Sequence, residues 1–165
     1  MPVQDIDRGW EALSKQLAQL QGDPYVLIGV QGAQAAAQHP PPPDAEDAEP
    51  VTHAQVASWN EFGTGHIPER SFIRQTIDKN RAPLLALAGK FGSAILDGRM
   101  SGARALGLLG EHTRGLMVGR ISARDFKRNA DSTIARKGSD TPLIAFHNAI
   151  AGSITYRLGS GQGGG

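Results

Sequence analysis

The sequence predicts an α+β domain, a small and mostly antiparallel sheet packed with four to five helices and carrying one long exposed loop of proline and acidic residues. Three observations predict it. Apolar residues recur at helical spacing in several separate stretches. Only residues 25–30 and 153–158 read as clear strands, and they stand far apart in the chain, so the last strand is expected to return beside the first. No βαβ series that would build a parallel sheet is present. Residues 1–158 are read as one domain, residues 32–50 as an insertion loop within it, and residues 159–165 as a flexible glycine-rich tail.

Ile6, Trp10, Leu13, Leu17 and Leu20 form one stripe of a first helix, capped by Asp5 and stopped by Gly22 and Pro24. Asp7, Arg8, Glu11, Lys15 and Gln16 fall on its other side, so the stripe is expected to dock on the sheet. In the strand that follows, Val26, Ile28 and Val30 point one way and Tyr25 and Leu27 the other. Both faces are apolar, which predicts a central or doubly covered strand.

Residues 32–50 change character. Ala33, Ala35, Ala36 and Ala37 give way to the run Pro40 to Pro43 and then to Asp44, Glu46, Asp47 and Glu49. Proline runs favour the extended polyproline conformation and do not enter sheet interiors. The stretch is expected to be exposed, either as a tolerated insertion or as an arm that reaches a neighbouring subunit.

Thr52 can cap a helix to about Asn60, with Val51, Ala54, Val56 and Trp59 inward; Gly63 and Gly65 end it and Pro68 restarts the chain extended. Phe72 and Ile73 open a segment that reads equally as strand or helical turn. After Pro83, the stripe Leu84, Leu87, Ala88, Phe91 and Ile95 predicts a helix closed by Gly98. Another is expected over 103–125, with Leu106, Leu109, Leu116 and Ile121 apolar. Gly107, Gly110, Gly115 and Gly119 lie inside it, each costing roughly 0.5–1 kcal/mol relative to alanine. Gly115 and Gly119 share a face that would admit a second backbone, and a break near Gly110 is the alternative. Residues 123–139 read as a polar, basic loop or a frayed helix end. Pro142 opens a short helix to about Ala149, and Ser153, Thr155 and Arg157 alternate with Ile154, Tyr156 and Leu158 in the final strand.

Function classes narrow on the same residues. The chain of 165 residues holds 17 basic and 16 acidic side chains, a balance that opposes binding through phosphate neutralisation. The mild basic segment 114–137, with Arg114, Arg120, Arg124, Lys127, Arg128, Arg136 and Lys137, keeps a small nucleic-acid-binding module as the alternative reading. Cysteine is absent, which removes disulfides, thiolate metal sites and a cysteine nucleophile. The first ten residues read as no secretory signal, and no apolar run nears the roughly 18–20 residues of a membrane span. Aromatics make up only 5% of the chain, so each core side chain buries little area and association with further subunits is favoured.

Catalytic patterns are missing. No serine sits in a Gly-x-Ser-x-Gly turn, and His39, His53, His66, His112 and His147 form no metal-ligand spacing. Glu111–His112 is an isolated pair, and His66 with Glu61 and Glu69 is the one conceivable carboxylate–histidine cluster. No phosphate-binding glycine loop opens a helix. The sequence therefore assigns no catalytic, cofactor-binding or metal residue and predicts a protein that is not an enzyme.

Residues 56–74 carry the densest pattern. A helix end of the form Val-Ala-x-x-Asn-Glu-Phe-Gly-Thr is followed by Ile-Pro-x-Arg-x-Phe-x-Arg, through Val56, Ala57, Asn60, Glu61, Phe62, Gly63, Thr64, Ile67, Pro68, Arg70, Phe72 and Arg74. In physical terms this is a glycine-hinged corner, with Glu61 able to pair with Arg70 or Arg74 and with Phe62 and Phe72 anchoring the two arms. The pattern resembles that of the tail-completion and neck (head–tail joining) morphogenesis proteins of long-tailed bacteriophages. Thr141 to Ile144 and Ser153 to Tyr156 resemble the closing helix and strand of that family, although residues 145–152 differ from its usual turn and are one residue longer. The resemblance implies a virion structural protein made in the bacterial host cytoplasm. It implies self-assembly as a homo-oligomeric, hexameric ring at the head-proximal end of the tail, contacts with tail-tube and head-connector proteins, genomic DNA only as passing cargo, and no membrane.

Overall fold

The computed structural model describes residues 9–18, 20–39, 49–123, 125–137, 140, 141, 143 and 149–161. Five helices of seven or more residues occur among them: α1 (Trp10–Ala18), α3 (His53–Phe62), α4 (Arg74–Leu96), α5 (Gly102–Ser122) and α6 (Asp131–Lys137). Two five-residue helical turns, α2 (Gly32–Ala36) and α7 (Ala149–Ser153), join them. Strands β1 (Tyr25–Val30) and β4 (Ile154–Gly159) make a two-stranded antiparallel sheet, and β2 (Gln38–His39) with β3 (Val51–Thr52) forms a second, two-residue ladder. The fold is α+β, with the last strand returning to the first in the register Tyr25↔Gly159 through Val30↔Ile154.

The α5 helix lies across this sheet and packs on α4 as well. A glycine, Gly110, stands on this helix where the sheet comes very close. A Cβ at Gly110 would lie 2.7 Å from the Tyr156 ring and 2.9 Å from Val26. The helix runs unbroken through Gly107, Gly110, Gly115 and Gly119, so packing at Gly110 offsets part of the glycine cost. Among the described residues nothing outside the helix's own backbone approaches a Cβ at Gly115 or Gly119 within 4 Å, so none of them supplies the close backbone expected on that face. The second half of α5 turns inward through Thr113, Met117 and Ile121. There the core gathers Ala57, Phe72, Met117, Ile121, Leu143, Ile150, Ala151 and Ile154. It sits where α3, the start of α4, α5, α7 and one end of the sheet meet.

Several expectations are corrected. No residue of α1 is buried; Trp10 is 70% exposed, and the helix lies against α4 because α5 already covers the sheet. Its expected beginning, Asp5 and Ile6, falls outside the described residues. β1 is not central: among the described residues β4 is its one strand neighbour, and Leu27 on the face away from α5 is exposed. Residues 32–39 are part of the domain and not an excursion. Ala35 is buried, His53 N donates to Ala37 O at 3.0 Å, and His53 Nδ1 lies 2.9 Å from Gln34 O. The proline run and most of the acidic stretch, residues 40–48, lie outside the described residues.

The fourth helix begins nine residues before Pro83, which stands inside it. Pro83 occupies an exposed position, so water can take up the carbonyl that loses its intrahelical donor. Ser153 closes α7 instead of opening the strand, its Oγ donating to Ile150 O at 2.8 Å. Gly159 belongs to β4 and not to a tail, since the Tyr25 ring crosses it so closely that a Cβ would lie 2.5 Å from Cζ. Gly161 N then donates to Gly22 O at 2.6 Å. The short helix expected from Pro142 falls mostly outside the described residues.

These glycines separate by environment. Gly110→Ala is expected to lower stability by about 1–3 kcal/mol through overpacking against Tyr156, whereas Gly115→Ala in the isolated chain should raise it by about 0.5–1 kcal/mol. Urea melts of both variants check the contrast, and equal effects would show that the Gly110 contact is not tight.

Candidate functional site

The α3 helix opens on a capping box. Thr52 Oγ1 accepts from Gln55 N at 3.2 Å and Thr52 N donates to Gln55 Oε1 at 2.8 Å. It buries Ala57, Asn60 and Glu61, whereas Trp59, expected inside, is 37% exposed. The inward face thus ends in two polar residues whose groups are used at the corner.

Gly63 makes the corner with φ 74° and ψ 169°, a conformation open essentially to glycine. A Cβ there would lie 3.0 Å from Glu69 N and 3.2 Å from Ile67 O. Beyond it Thr64 folds a tight turn. Its N donates to Ile67 O at 2.8 Å, and its Oγ1 accepts from Ile67 N at 3.0 Å and His66 N at 3.3 Å. Pro68 then leads the chain back along the end of α3, where Arg70 N donates to Asn60 O at 2.6 Å.

Glu61 is the centre of the elbow. Its buried carboxylate accepts from Ser71 Oγ (2.7 Å), Phe72 N (2.8 Å), Ile73 N (2.9 Å), Arg74 N (2.9 Å) and Arg74 Nε (3.2 Å). Three successive backbone donors at the start of α4 thereby find their acceptor on the preceding helix. The negative charge also faces the positive end of the α4 dipole. Burial works to raise the Glu61 pKa, yet donation by Arg74, Ile73, Ser71 and Phe72 outweighs it, and the carboxyl is held below its ordinary value.

The two arginines of the motif divide the work. Arg74 makes the pairing expected for Glu61, gives a further hydrogen bond from Nη2 to Glu69 Oε1 at 2.8 Å, and lies over the Phe62 ring at 4.8 Å. Phe62 is therefore no buried anchor; it is 63% exposed beneath a half-exposed guanidinium. Phe72 is the anchor, fully buried in the core. Arg70 does not meet Glu61. It is buried and donates from Nη1 to Asn60 Oδ1 (3.1 Å), from Nε to Lys127 O (2.9 Å), and from Nη2 to Arg128 O (3.3 Å) and Asn129 Oδ1 (3.0 Å). Burial lowers its pKa, and a guanidinium stays charged regardless. A buried cation held by neutral oxygens thus pins residues 127–129 to the elbow. Ile67 and Pro68 line an open groove of about 550 Å³ against residues 127–131.

Sequence reasoning missed Ser71, Thr76 and Asn129, all buried and hydrogen-bonded here. Ser71 stands at an open position inside the recognised motif and Thr76 two residues beyond it, and both read as ordinary helix-start polar residues; Asn129, far along the chain, gave no signal.

The polar side chains of the elbow are held by hydrogen bonds. Ser71 Oγ donates to Glu61 and accepts from Gln75 N at 3.2 Å. Glu61 is saturated and Glu69 faces Arg74, so His66 gathers no carboxylate cluster, and among the described residues no three His, Asp or Glu side chains are grouped to hold a metal. In the basic segment Arg114 is bidentate on Glu111 (2.9 and 2.6 Å). Arg120 meets Asp125 at 2.7 Å, and Arg128 meets Asp131 (2.9 Å) and Asp140 (3.1 Å). The chain matches no protein-family model, no curated protein and no solved structure.

Two substitutions test the elbow. Glu61→Gln places an amide donor against backbone donors and should cost about 2–4 kcal/mol at pH 7. The folded pKa of Glu61 is lowered, so its contribution is complete above the unfolded value near 4.5 and is lost as pH falls through the folded value. Urea melts from pH 7 to pH 3 should therefore show a smaller acid loss for the variant than for the parent. Gly63→Val should cost at least about 1–3 kcal/mol through backbone strain alone; an unchanged Tm would refute this account of the corner.

Proposed function

We propose that this chain is a structural component of a tailed-phage virion. In this reading it assembles with copies of itself into a ring, hexameric in order, at the head-proximal end of the tail. There it completes the tail or joins it to the head, and DNA passes through the lumen without being gripped. The observation that supports it is the elbow. Asn60, Glu61, Arg70 and Arg74, which carry the resemblance, spend their polar groups on one another, on the start of α4 and on residues 127–129, which suits a rigid subunit.

The surface supports the same reading. Trp10, Phe62, Leu85 and Leu96 are each more than half exposed, a large apolar outlay for so small a domain and one that neighbouring subunits would cover. Among the described residues no helix is long and apolar enough to cross a membrane. Against the nucleic-acid alternative, Arg114, Arg120 and Arg128 of the basic segment each face a carboxylate, which reduces the charge they offer to phosphate.

Cryo-electron microscopy of tailed particles containing this polypeptide is expected to show a closed ring of it at the neck. Duplex DNA titrations on the free chain should show weak binding without a steep salt slope. Particles that lack the chain, together with substrate turnover by the free protein, would defeat the proposal.

A further inference from the structure

The groove between the elbow turn and residues 127–131 is bordered by two donors that find no acceptor among the described residues. Asn129 is 7% exposed and lines it. Its Oδ1 accepts from Arg70 Nη2 at 3.0 Å, which fixes the amide orientation, because a guanidinium only donates. Its Nδ2 is then left buried with no partner among the described residues, a condition native structures seldom tolerate. Beside it, Lys127 uses its backbone carbonyl for Arg70, while its ammonium makes no ion pair among the described residues. The neighbouring Arg128 and Asp131 are occupied with each other. Thr64, His66, Ile67 and Pro68 complete the wall, whose polar side chains are one hydroxyl and one imidazole. An extended segment bearing carboxylates matches this set of groups.

The chain itself supplies such a segment. Between Lys15 and Arg70 the sequence holds no lysine or arginine, yet Asp44, Glu46, Asp47 and Glu49 follow one another within six positions. Four prolines precede them, contributing carbonyl acceptors and no N–H. Its flanks, β2 and β3, stand beside the N-terminal end of α3, whereas the groove lies beyond the other end, about 15 Å away by helical rise. A contact from one copy's acidic segment to the next copy's groove is head-to-tail, the kind that closes into rings.

We infer that the groove at Lys127 and Asn129 docks the acidic segment 44–49 of a second copy of this chain. The inference rests on the ring reading and names one contact through which the ring would form.

The test uses the full chain and three variants. One carries Asp44→Asn, Glu46→Gln, Asp47→Asn and Glu49→Gln, one Lys127→Glu, and one Asn129→Asp, which keeps an oxygen for Arg70 while replacing the free donor with a carboxylate. A labelled peptide of residues 38–51 is titrated against the neutralised chain, with and without Lys127→Glu or Asn129→Asp, and self-association is followed by sedimentation. Both groove substitutions are expected to weaken peptide binding about ten-fold. Neutralisation and Lys127→Glu should weaken self-association to a similar degree, and adding Glu46→Lys and Asp47→Lys to Lys127→Glu should restore it. Lys127 is exposed, so that variant remains informative if Asn129→Asp fails to fold. A peptide that does not bind, or that binds Lys127→Glu equally well, overturns the inference. So does a concentration-independent crosslink between segment and groove, which places the segment in its own chain. A ring still present at the neck with the neutralised chain overturns this contact and leaves the ring reading standing; absence of any ring removes both.

Discussion

The carboxylate of Glu61 closes the start of the longest helix from outside that helix. Capping is usually a local matter in which a side chain at the first position bends back onto its own turn. Here Ile73 at that position offers no side-chain acceptor, and the acceptor comes from the end of α3, across a reversal of the chain. The dipole of a 23-residue helix, a buried serine and a half-exposed arginine all converge on that single charge. The angle between α3 and α4 is thereby set by hydrogen bonds of fixed length, and Phe72, the first of the backbone donors, is directed into the core. Removing the acceptor would leave several buried donors unmatched at once.

Around this point the domain is organised as a tie between distant stretches of chain. Arg70 fastens residues 127–129 to the elbow, Ile121 and Met117 bring the end of α5 to the same place, and Ile154 brings the last strand. The elbow works as the keystone of the fold as well as its most recognisable sequence. That double role explains why so polar a motif is buried. Its charges are retained because each has a fixed partner, and a charge so held fixes geometry better than an apolar contact of the same size.

Much of this was legible in the residues, and the divisions are physical. The reversal at Gly63 and the cap at Thr52 depend on local chemistry, and both stand where the spacing placed them. The pairing of β1 with β4 followed from having only two good strand segments. What could not be read depended on which surface another element already occupied. The stripe of α1 is a good amphipathic pattern, but α5 had taken the sheet, so Trp10 is left facing out. Pro83 looked like a helix start because local rules reward proline there, yet the start lay earlier, at donors whose acceptor was on another helix. The partner of Arg70 was hidden for the same reason: carbonyl oxygens and an asparagine 59 positions away leave no mark in charge pattern or periodicity.

The closing strand carries a consequence for the order in which this chain takes shape. Gln31 and Thr155, bonded through side chain and carbonyl, are 124 positions apart. The strand at Tyr25 to Val30 therefore waits for residues 154–159 before its pairing edge is satisfied. Until then it presents six residues without charge or proline, the composition least protected against pairing with the wrong neighbour. The helical pair α4–α5 needs only short loop closure and can be in place first. On the ribosome, an interval therefore separates that helical platform from the strand that completes the sheet.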